Sequence, residues 1–372
     1  MRGADRLTGY LRHHLEAGDF PGAVYLVAEN GRILAEGALG FAVVRPERLA
    51  ATPGTLYDLA SLTKPLAGAL LAALLDAEGR LALDDPLARH LPEWAPAGAA
   101  SRITIRDLLT HRSGLPAWRP LYLHASDRAS CIEWLQGQPL ERPPGEGVVY
   151  SDPGYVLLGF ALERAGGAPL DSLFIRKVAG PLGLADLLFS PPAALRRRTA
   201  ATEEGNRKER LLAGPQGDRY NGWRTEVAWG EVHDLNARLL GGVSAHAGLF
   251  GTARDVLAVA REILGPAAGA GAVPGGGLLD PKRRGLFGSS LTAGLGEDRS
   301  LGFRIAGGPG GSAGEGLSAR SFGHTGFTGT SLLIDPDARR IYVLLTNRVH
   351  PEFREIDMNA IRRGFHEVAA SL

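Results

Sequence analysis

Residues 22–40 read GAVYLVAENGRILAEGALG. Two runs rich in β-forming residues, 22–29 and 32–40, flank Asn30-Gly31. Asn and Gly reach the positive φ values that a two-residue hairpin turn requires, so the stretch predicts an antiparallel hairpin. A second strand pair is expected near the other end of the chain: 330–334, the turn Asp335-Pro336-Asp337, then 340–345. Before the hairpin, Leu7, Leu11 and Leu15 recur at helical spacing over 5–17, and a terminal helix is expected over 351–371.

Between these ends the pattern changes. Residues 66–79, 104–110, 129–136, 154–166, 170–178 and 253–264 read as helices separated by Gly/Pro turns. Strands at both ends and helices between them predict an α+β fold. Its antiparallel sheet, flanked by helices, would be closed by the two termini beside an all-helical domain. The expected division places 1–82 and 290–372 in the α/β domain and 83–289 in the helical one. The Gly-rich stretches 265–277 and 307–316 are expected as surface loops, since neither has the lysine of a phosphate-cradling loop. The run 196–210 mixes both charges and is expected to be a solvated loop. No period of 20–50 residues repeats, which excludes solenoids and propellers.

Composition narrows the class. The 372 residues include 41 Lys+Arg against 40 Asp+Glu, a formal charge of +1, without the positive excess of a nucleic-acid binder. Hydrophobic residues make up 44%, enough for a buried core, which excludes global disorder. The single Cys131 excludes an internal disulfide framework and a Cys-rich zinc site. The longest apolar run, 66–75, has half the length of a membrane span, so none is expected. The start carries Asp5, His13, His14 and Glu16, with no apolar core of a signal peptide. A cytoplasmic protein is expected as written, or a periplasmic or secreted one if a leader was removed. His13 and His14 are expected to be solvated, and oligomeric state is not legible.

Three short motifs carry chemistry. Ser61-Leu62-Thr63-Lys64 opens a helix, and residues three apart share a helix face, so the Ser61 hydroxyl and Lys64 amine can meet. Nearby free N–H groups at a helix start suit an oxyanion, and a desolvated lysine can serve as a base. Read alone, the motif equally describes a helix cap and a surface lysine. Tyr150-Ser151-Asp152 lies between a Pro/Gly-rich stretch and a helix, where a phenol can project into a cleft; alone, it is also a turn with Asp152 as cap. His324-Thr325-Gly326 leads into a strand along which a substrate backbone can pair, or is simply a bulge with a satisfied histidine.

Together and in this order, S-x-x-K, Y-x-[ND] and [KH]-T-G resemble the serine β-lactamase and penicillin-binding-protein superfamily. Residues 83–94 (LDDPLARHLPEW), 108–116 (LLTHRSGLP) and 150–159 (YSDPGYVLLG) resemble blocks of its class C-like branch, and the likeness runs from about residue 22 to 347. The resemblance implies a β-lactamase/transpeptidase-like fold and a cofactor-free, metal-free serine hydrolase acting on a small-molecule ester or amide. It implies Ser61 as acylated nucleophile, Lys64 and Tyr150 as proton carriers, and the N–H groups of Ser61 and Phe327 as the oxyanion hole. Asp152, His324, Thr325 and Gly326 would bind substrate.

Two positions depart from the common β-lactamase pattern. Asp152 stands where Asn is frequent, and an ionised carboxylate would tend to keep Lys64 protonated, pushing the base role towards Tyr150. His324 stands where Lys is frequent, which removes a fixed positive charge. Both changes fit the esterase-like and peptidase-like members better. A carboxylesterase of the family VIII kind, acting on small esters with at most weak β-lactam hydrolysis, is therefore expected. The alternatives are an amidase or D-amino-acid peptidase on cell-wall muropeptides and a penicillin-binding sensor without turnover. Residues 230–251 (GEVHDLNARLLGGVSAHAGLFG) resemble a subgroup that includes muropeptide amidases; His233, Asp234 and His246 are expected as cleft-supporting turn residues rather than metal ligands. Trp118, Tyr122, Tyr220 and Trp223 are candidates for an acyl or sugar pocket, or for local packing.

Overall fold

The computed structural model describes residues 3–266, 277–305 and 313–372. The Gly-rich stretches expected as loops, 265–277 and 307–316, fall largely outside them. The hairpin forms as expected: β1 (Gly22–Glu29) and β2 (Arg32–Val43) pair with Glu29 opposite Arg32, and Asn30 and Gly31 adopt φ of 49° and 79°. The chain continues through the short strands β3 (Leu49–Ala50), β4 (Tyr57–Asp58), β5 (Leu188–Phe189), β6 (Leu249–Gly251) and β7 (Arg304–Ile305). It returns through β8 (Phe322–Thr325), β9 (Ser331–Asp335) and β10 (Arg340–Thr346). Seven strands form one antiparallel sheet in the order β3-β2-β1-β10-β9-β8-β7, so the two ends of the chain meet at its centre along β1 and β10. A small second sheet, β4-β6-β5, braces the turn that carries Ser61.

Both faces of the large sheet are covered, which is why β1 is apolar along nearly its whole length. Ala23, Tyr25 and Val27 pack with Leu7, Leu11, Ile361 and Phe365 of the terminal helices Gly3–Glu16 and Met358–Ala370. Val24, Leu26 and Ala28 face the larger core. At its heart runs the helix Ala60–Ala77, with mean hydropathy 1.3 over 18 residues, 83% buried within the protein. Its length and composition match a membrane span, and its position is that of a core helix.

Three expectations need correction. The terminal helix starts at Met358, not at 351, because Asp357 caps it through the Ala360 N–H at 2.9 Å, while Phe353 is used in the preceding loop to stack on Phe327. The helix Ala253–Leu264, placed by the expected boundaries among the helices of 83–289, packs on β1, β9 and β10. The mixed-charge run 196–210 is not a solvated loop throughout. It enters the helix Arg207–Ala213 and buries Glu203 and Glu209.

Candidate active site

Ser61 sits on a turn held from several sides. Ala60, just before it, has φ of 47°, a conformation that costs an L-residue of order 1–3 kcal/mol and persists only where neighbours impose it. They do so here. Asp58 Oδ1 accepts the Ala60 N–H at 2.8 Å, and its Oδ2 accepts the His233 N–H at 2.7 Å. The hydroxyls of Thr328 and Thr330 donate to the carbonyls of Asp58 and Leu59 at 2.8 and 3.0 Å. The chain then winds through a 3₁₀ turn, Ala60–Leu62, into a π-helical segment, Lys64–Ala69, before the α-helix Leu70–Ala77. Such wide turns recur at functional sites.

The Lys64 ammonium is fully buried; it donates to Ser61 Oγ and to the His246 carbonyl, each at 3.0 Å, and forms an ion pair with Asp152 Oδ1 at 2.7 Å. Burial pulls its pKa down, but Asp152 and then Tyr150 outweigh that pull, and the group stays above its ordinary value. Lys64 therefore holds its proton. Its Nζ lies 5.0 Å from the centroid of the Tyr150 ring, an attractive cation–π distance.

Tyr150 precedes the helix Asp152–Gly166, which Ser151 caps by accepting the Gly154 N–H at 3.0 Å. A residue not singled out in the sequence sets this loop. His111 Nδ1 accepts the Ser151 N–H at 3.0 Å, and its ring lies 4.4 Å from that of Tyr150. Burial, then the nearby charges of Arg299 and Lys64, hold His111 well below the ordinary histidine range, as a neutral acceptor requires. The signal was present in the block LLTHRSGLP, but nothing in it announces which atom the imidazole serves.

His324 and Thr325 end β8 beside the turn that carries Ser61. A Cβ on Gly326 would stand 2.1 Å from Thr330 Oγ1 and 2.7 Å from the Leu59 carbonyl, so only glycine lets this turn approach Ser61. Arg362, buried on the terminal helix, donates to the carbonyls of Gly326 and Thr330 at 2.9 and 3.0 Å and locks the turn. The Phe327 carbonyl accepts from Arg348 Nε at 2.8 Å, while its N–H has no acceptor of its own among the described residues. His324 Nδ1 donates to the Thr325 carbonyl at 2.9 Å, which leaves Nε2 as a bare acceptor. Burial, followed by the charges of Lys64 and Arg299, keeps this imidazole neutral.

Ser61, Tyr150, Asp152, His324, Thr325, Gly326 and Phe327 line one cavity of about 490 Å³. Four arginines that no motif had marked, Arg299, Arg304, Arg348 and Arg362, line it too. The Arg299 guanidinium lies 5.3 Å from the Tyr150 ring, and it shares Glu297 Oε1 with Arg304, each at 2.9 Å. Cations thus reach the cavity from a segment other than position 324. Trp118 faces the cavity, whereas Tyr122, Tyr220 and Trp223 pack on one another with centroids 5.0–5.6 Å apart and do not line it. His233 and Asp234 line it as well; His233 pairs with Glu203 at 2.8 Å and His246 with Asp234 at 2.9 Å. Each imidazole thus has a carboxylate partner. Among the described residues no group of three His, Cys, Asp or Glu side chains is placed to hold a metal ion. His14, far along the first helix, pairs with Asp19 at 2.7 Å.

A sequence model of the family described as Beta-lactamase matches residues 7–365. The chain belongs to the β-lactamase family. Among curated relatives, a protein of Escherichia coli (strain K12) named "Putative D-alanyl-D-alanine carboxypeptidase" is 32% identical, over 93% of this chain and 82% of its own length. A Salmonella typhimurium protein of the same name is also 32% identical over the same shares. Among solved structures, the hydrolase EstCE1 superposes with a TM-score of 0.75 at 24% identity, covering 99% of this chain and 98% of its own. A penicillin-binding-protein homologue from Caulobacter crescentus gives 0.73 at 23%, covering 100% and 98%. This member of the β-lactamase family is a serine hydrolase with the β-lactamase/transpeptidase-like fold.

Proposed function

We propose that the protein is a serine peptidase that removes a carboxylate-bearing terminal residue, of D configuration, from a short peptide. The observation that carries this reading is Arg299, a cation facing the cavity beside Tyr150 and His324. The ester expectation drew on Asp152 and His324 together, departures that fit peptidase-like members as well, and Arg299 offers the cavity a cation that His324 does not. The D configuration is supported by the names of the curated relatives at 32% identity.

In this reading Ser61 Oγ attacks the scissile carbonyl, and the N–H groups of Ser61 and Phe327 receive the developing oxyanion. Lys64 is already protonated, so it holds and polarises Ser61 rather than deprotonating it. Tyr150 relays the Ser61 proton, its oxygen taking the proton from Ser61 Oγ as it delivers its own to the departing amine. The C–N bond breaks as the amine leaves. Water then attacks the acyl-enzyme by the same route and restores Ser61. His324 Nε2, a bare acceptor, suits an N–H of the substrate backbone laid along β8.

The test is release of the terminal residue from diacetyl-L-Lys-D-Ala-D-Ala and from its C-terminal amide. Release from the acid at least tenfold faster than from the amide, abolished by Ser61→Ala, is the expected result. Equal rates on acid and amide, or hydrolysis that persists in Ser61→Ala, would overturn the reading.

A further inference from the structure

The Phe327 N–H shares a peptide unit with an acceptor of a buried cation. The Gly326 carbonyl and the Phe327 N–H are the two ends of one amide, and Arg362 Nη2 donates to that carbonyl at 2.9 Å. The Gly329 N–H donates to the same oxygen at 3.0 Å, so both acceptor positions of this oxygen are filled. The N–H end has no acceptor among the described residues. Drawing electron density onto a carbonyl oxygen makes the attached N–H more positive, and hydrogen bonds linked in this way strengthen one another by about 10–30%. A charged donor polarises its acceptor more than a neutral one does.

The charge of Arg362 exceeds what a lock for the turn requires. Asn359 Oδ1 and the carbonyls of Gly326 and Thr330 accept from it at 3.0, 2.9 and 3.0 Å. Its side chain is 5% exposed, its Nε is buried without a partner, and among the described residues no carboxylate pairs with it. Burial, then the charge of Arg348, lowers its pKa to about 9, so it is charged at neutral pH. A neutral donor would hold the same carbonyls without the cost of burying a cation. A buried cation without a counter-ion favours any anion that forms close by, and the anion of this reaction is the oxyanion. Arg348 serves the next amide instead, donating through Nε to the Phe327 carbonyl at 2.8 Å.

We propose that Arg362 is a positioning residue for the reaction, one that strengthens the Phe327 N–H as an oxyanion donor through the shared Gly326–Phe327 peptide unit. The effect is small while the substrate carbonyl is neutral and grows as charge develops on its oxygen, so it favours the transition state over the bound substrate. The inference rests on the reading of Ser61 as nucleophile and the Phe327 N–H as oxyanion donor. Arg362 also lines the cavity, so direct contact with an anionic substrate is the competing role, and an uncharged substrate separates the two.

The test compares Arg362→Lys, which keeps a cation, with Arg362→Gln, which keeps only a neutral donor. On p-nitrophenyl butyrate, an uncharged ester, kcat/KM is expected to fall about tenfold or more in Arg362→Gln and less than about threefold in Arg362→Lys. Inhibition by phenylboronic acid, which adds to Ser61 Oγ as a tetrahedral anion while the hydroxyl proton leaves to solvent, should weaken in proportion. Parent-like rates in Arg362→Gln, or a loss confined to carboxylate-bearing substrates, overturn the proposal. An equal loss in both variants makes Arg362 a structural lock and overturns it as well. Arg362→Met, which fills similar space without charge, takes the place of Arg362→Gln if that variant does not fold. The amide is also read without turnover, in heteronuclear spectra of protein labelled with ¹⁵N-phenylalanine, with Phe327 assigned through Phe327→Tyr. Its resonance is expected to move upfield in Arg362→Gln and to stay near the parent position in Arg362→Lys. An unmoved resonance in Arg362→Gln overturns the proposal. If Ser61→Ala hydrolyses the ester undiminished, the nucleophile reading fails, and the spectra still decide whether Arg362 polarises this amide.

Discussion

Replacing Arg299 by Gln removes the cation and leaves a shorter, neutral donor. The structure separates the effect on the site from damage to the fold. Arg299 is nearly buried, its side chain 9% exposed, and its carboxylate partner Glu297 is also held by Arg304 at 2.9 Å. Losing Arg299 therefore does not strand an unpaired buried carboxylate, the event that makes most broken buried pairs strongly destabilising. What is lost is a charge-assisted contact to the substrate carboxylate, worth about 1.5–3 kcal/mol. At roughly 1.4 kcal/mol per tenfold, kcat/KM on the acid peptide should fall about 10- to 150-fold. The C-terminal amide, which has no charge to lose, should be affected far less, so the acid-to-amide ratio collapses. Arg299→Lys should recover only part of it, because an ammonium lacks the planar two-point fork. The assay is steady-state release of the terminal residue at constant ionic strength, with denaturant melts alongside. An unchanged acid-to-amide ratio in Arg299→Gln would refute the reasoning.

Three further perturbations test other parts of the site. Asp152→Asn removes the largest influence opposing burial at Lys64, so the Lys64 pKa should fall and the alkaline limb of the kcat/KM profile should move down with it; an unmoved limb would show that Asp152 does not set this charge. His324 is held neutral by burial, its pKa below that of the unfolded chain, so the unfolded state binds the extra proton as pH falls through about 6.5. Its stabilising contribution is present above that pH and is lost below it, by up to roughly 1.4 kcal/mol per pH unit. Urea melts from pH 7.5 to 5.5 should be correspondingly less pH-sensitive in His324→Gln, and identical slopes would contradict the burial argument. Gly326→Ala would place a methyl 2.1 Å from Thr330 Oγ1 and 2.7 Å from the Leu59 carbonyl, costing about 1–3 kcal/mol in denaturant melts and displacing the Ser61 turn. Parent-like stability and rate would show the close approach to be dispensable.

What could be read from sequence was local in character. Asn30-Gly31 specifies its hairpin through backbone sterics, and Ser61 and Lys64 meet because three residues nearly complete a helical turn. The pairing of β1 with β10 was reachable only as a fold class, since nothing local joins residue 23 to residue 346. Residues that act across elements stayed hidden for the same reason. Arg299 works beside a strand that starts 23 residues later, and Arg362 reaches the Gly326 turn from the terminal helix. Glu209 looked like one charge in a mixed run, because burial is a property of the packed chain and not of its neighbours in sequence. At position 324 the sequence shows only that lysine is replaced by histidine; that Arg299 lines the same cavity is a property of the packed chain.

The most direct measurement is intact-mass analysis of protein quenched during turnover of an activated ester or exposed to benzylpenicillin, with peptide mapping of any adduct. A single acyl adduct on the peptide containing Ser61, absent from Ser61→Ala, is the expected result. An adduct on another residue, or undiminished hydrolysis by Ser61→Ala, would contradict the assignment of Ser61 as nucleophile.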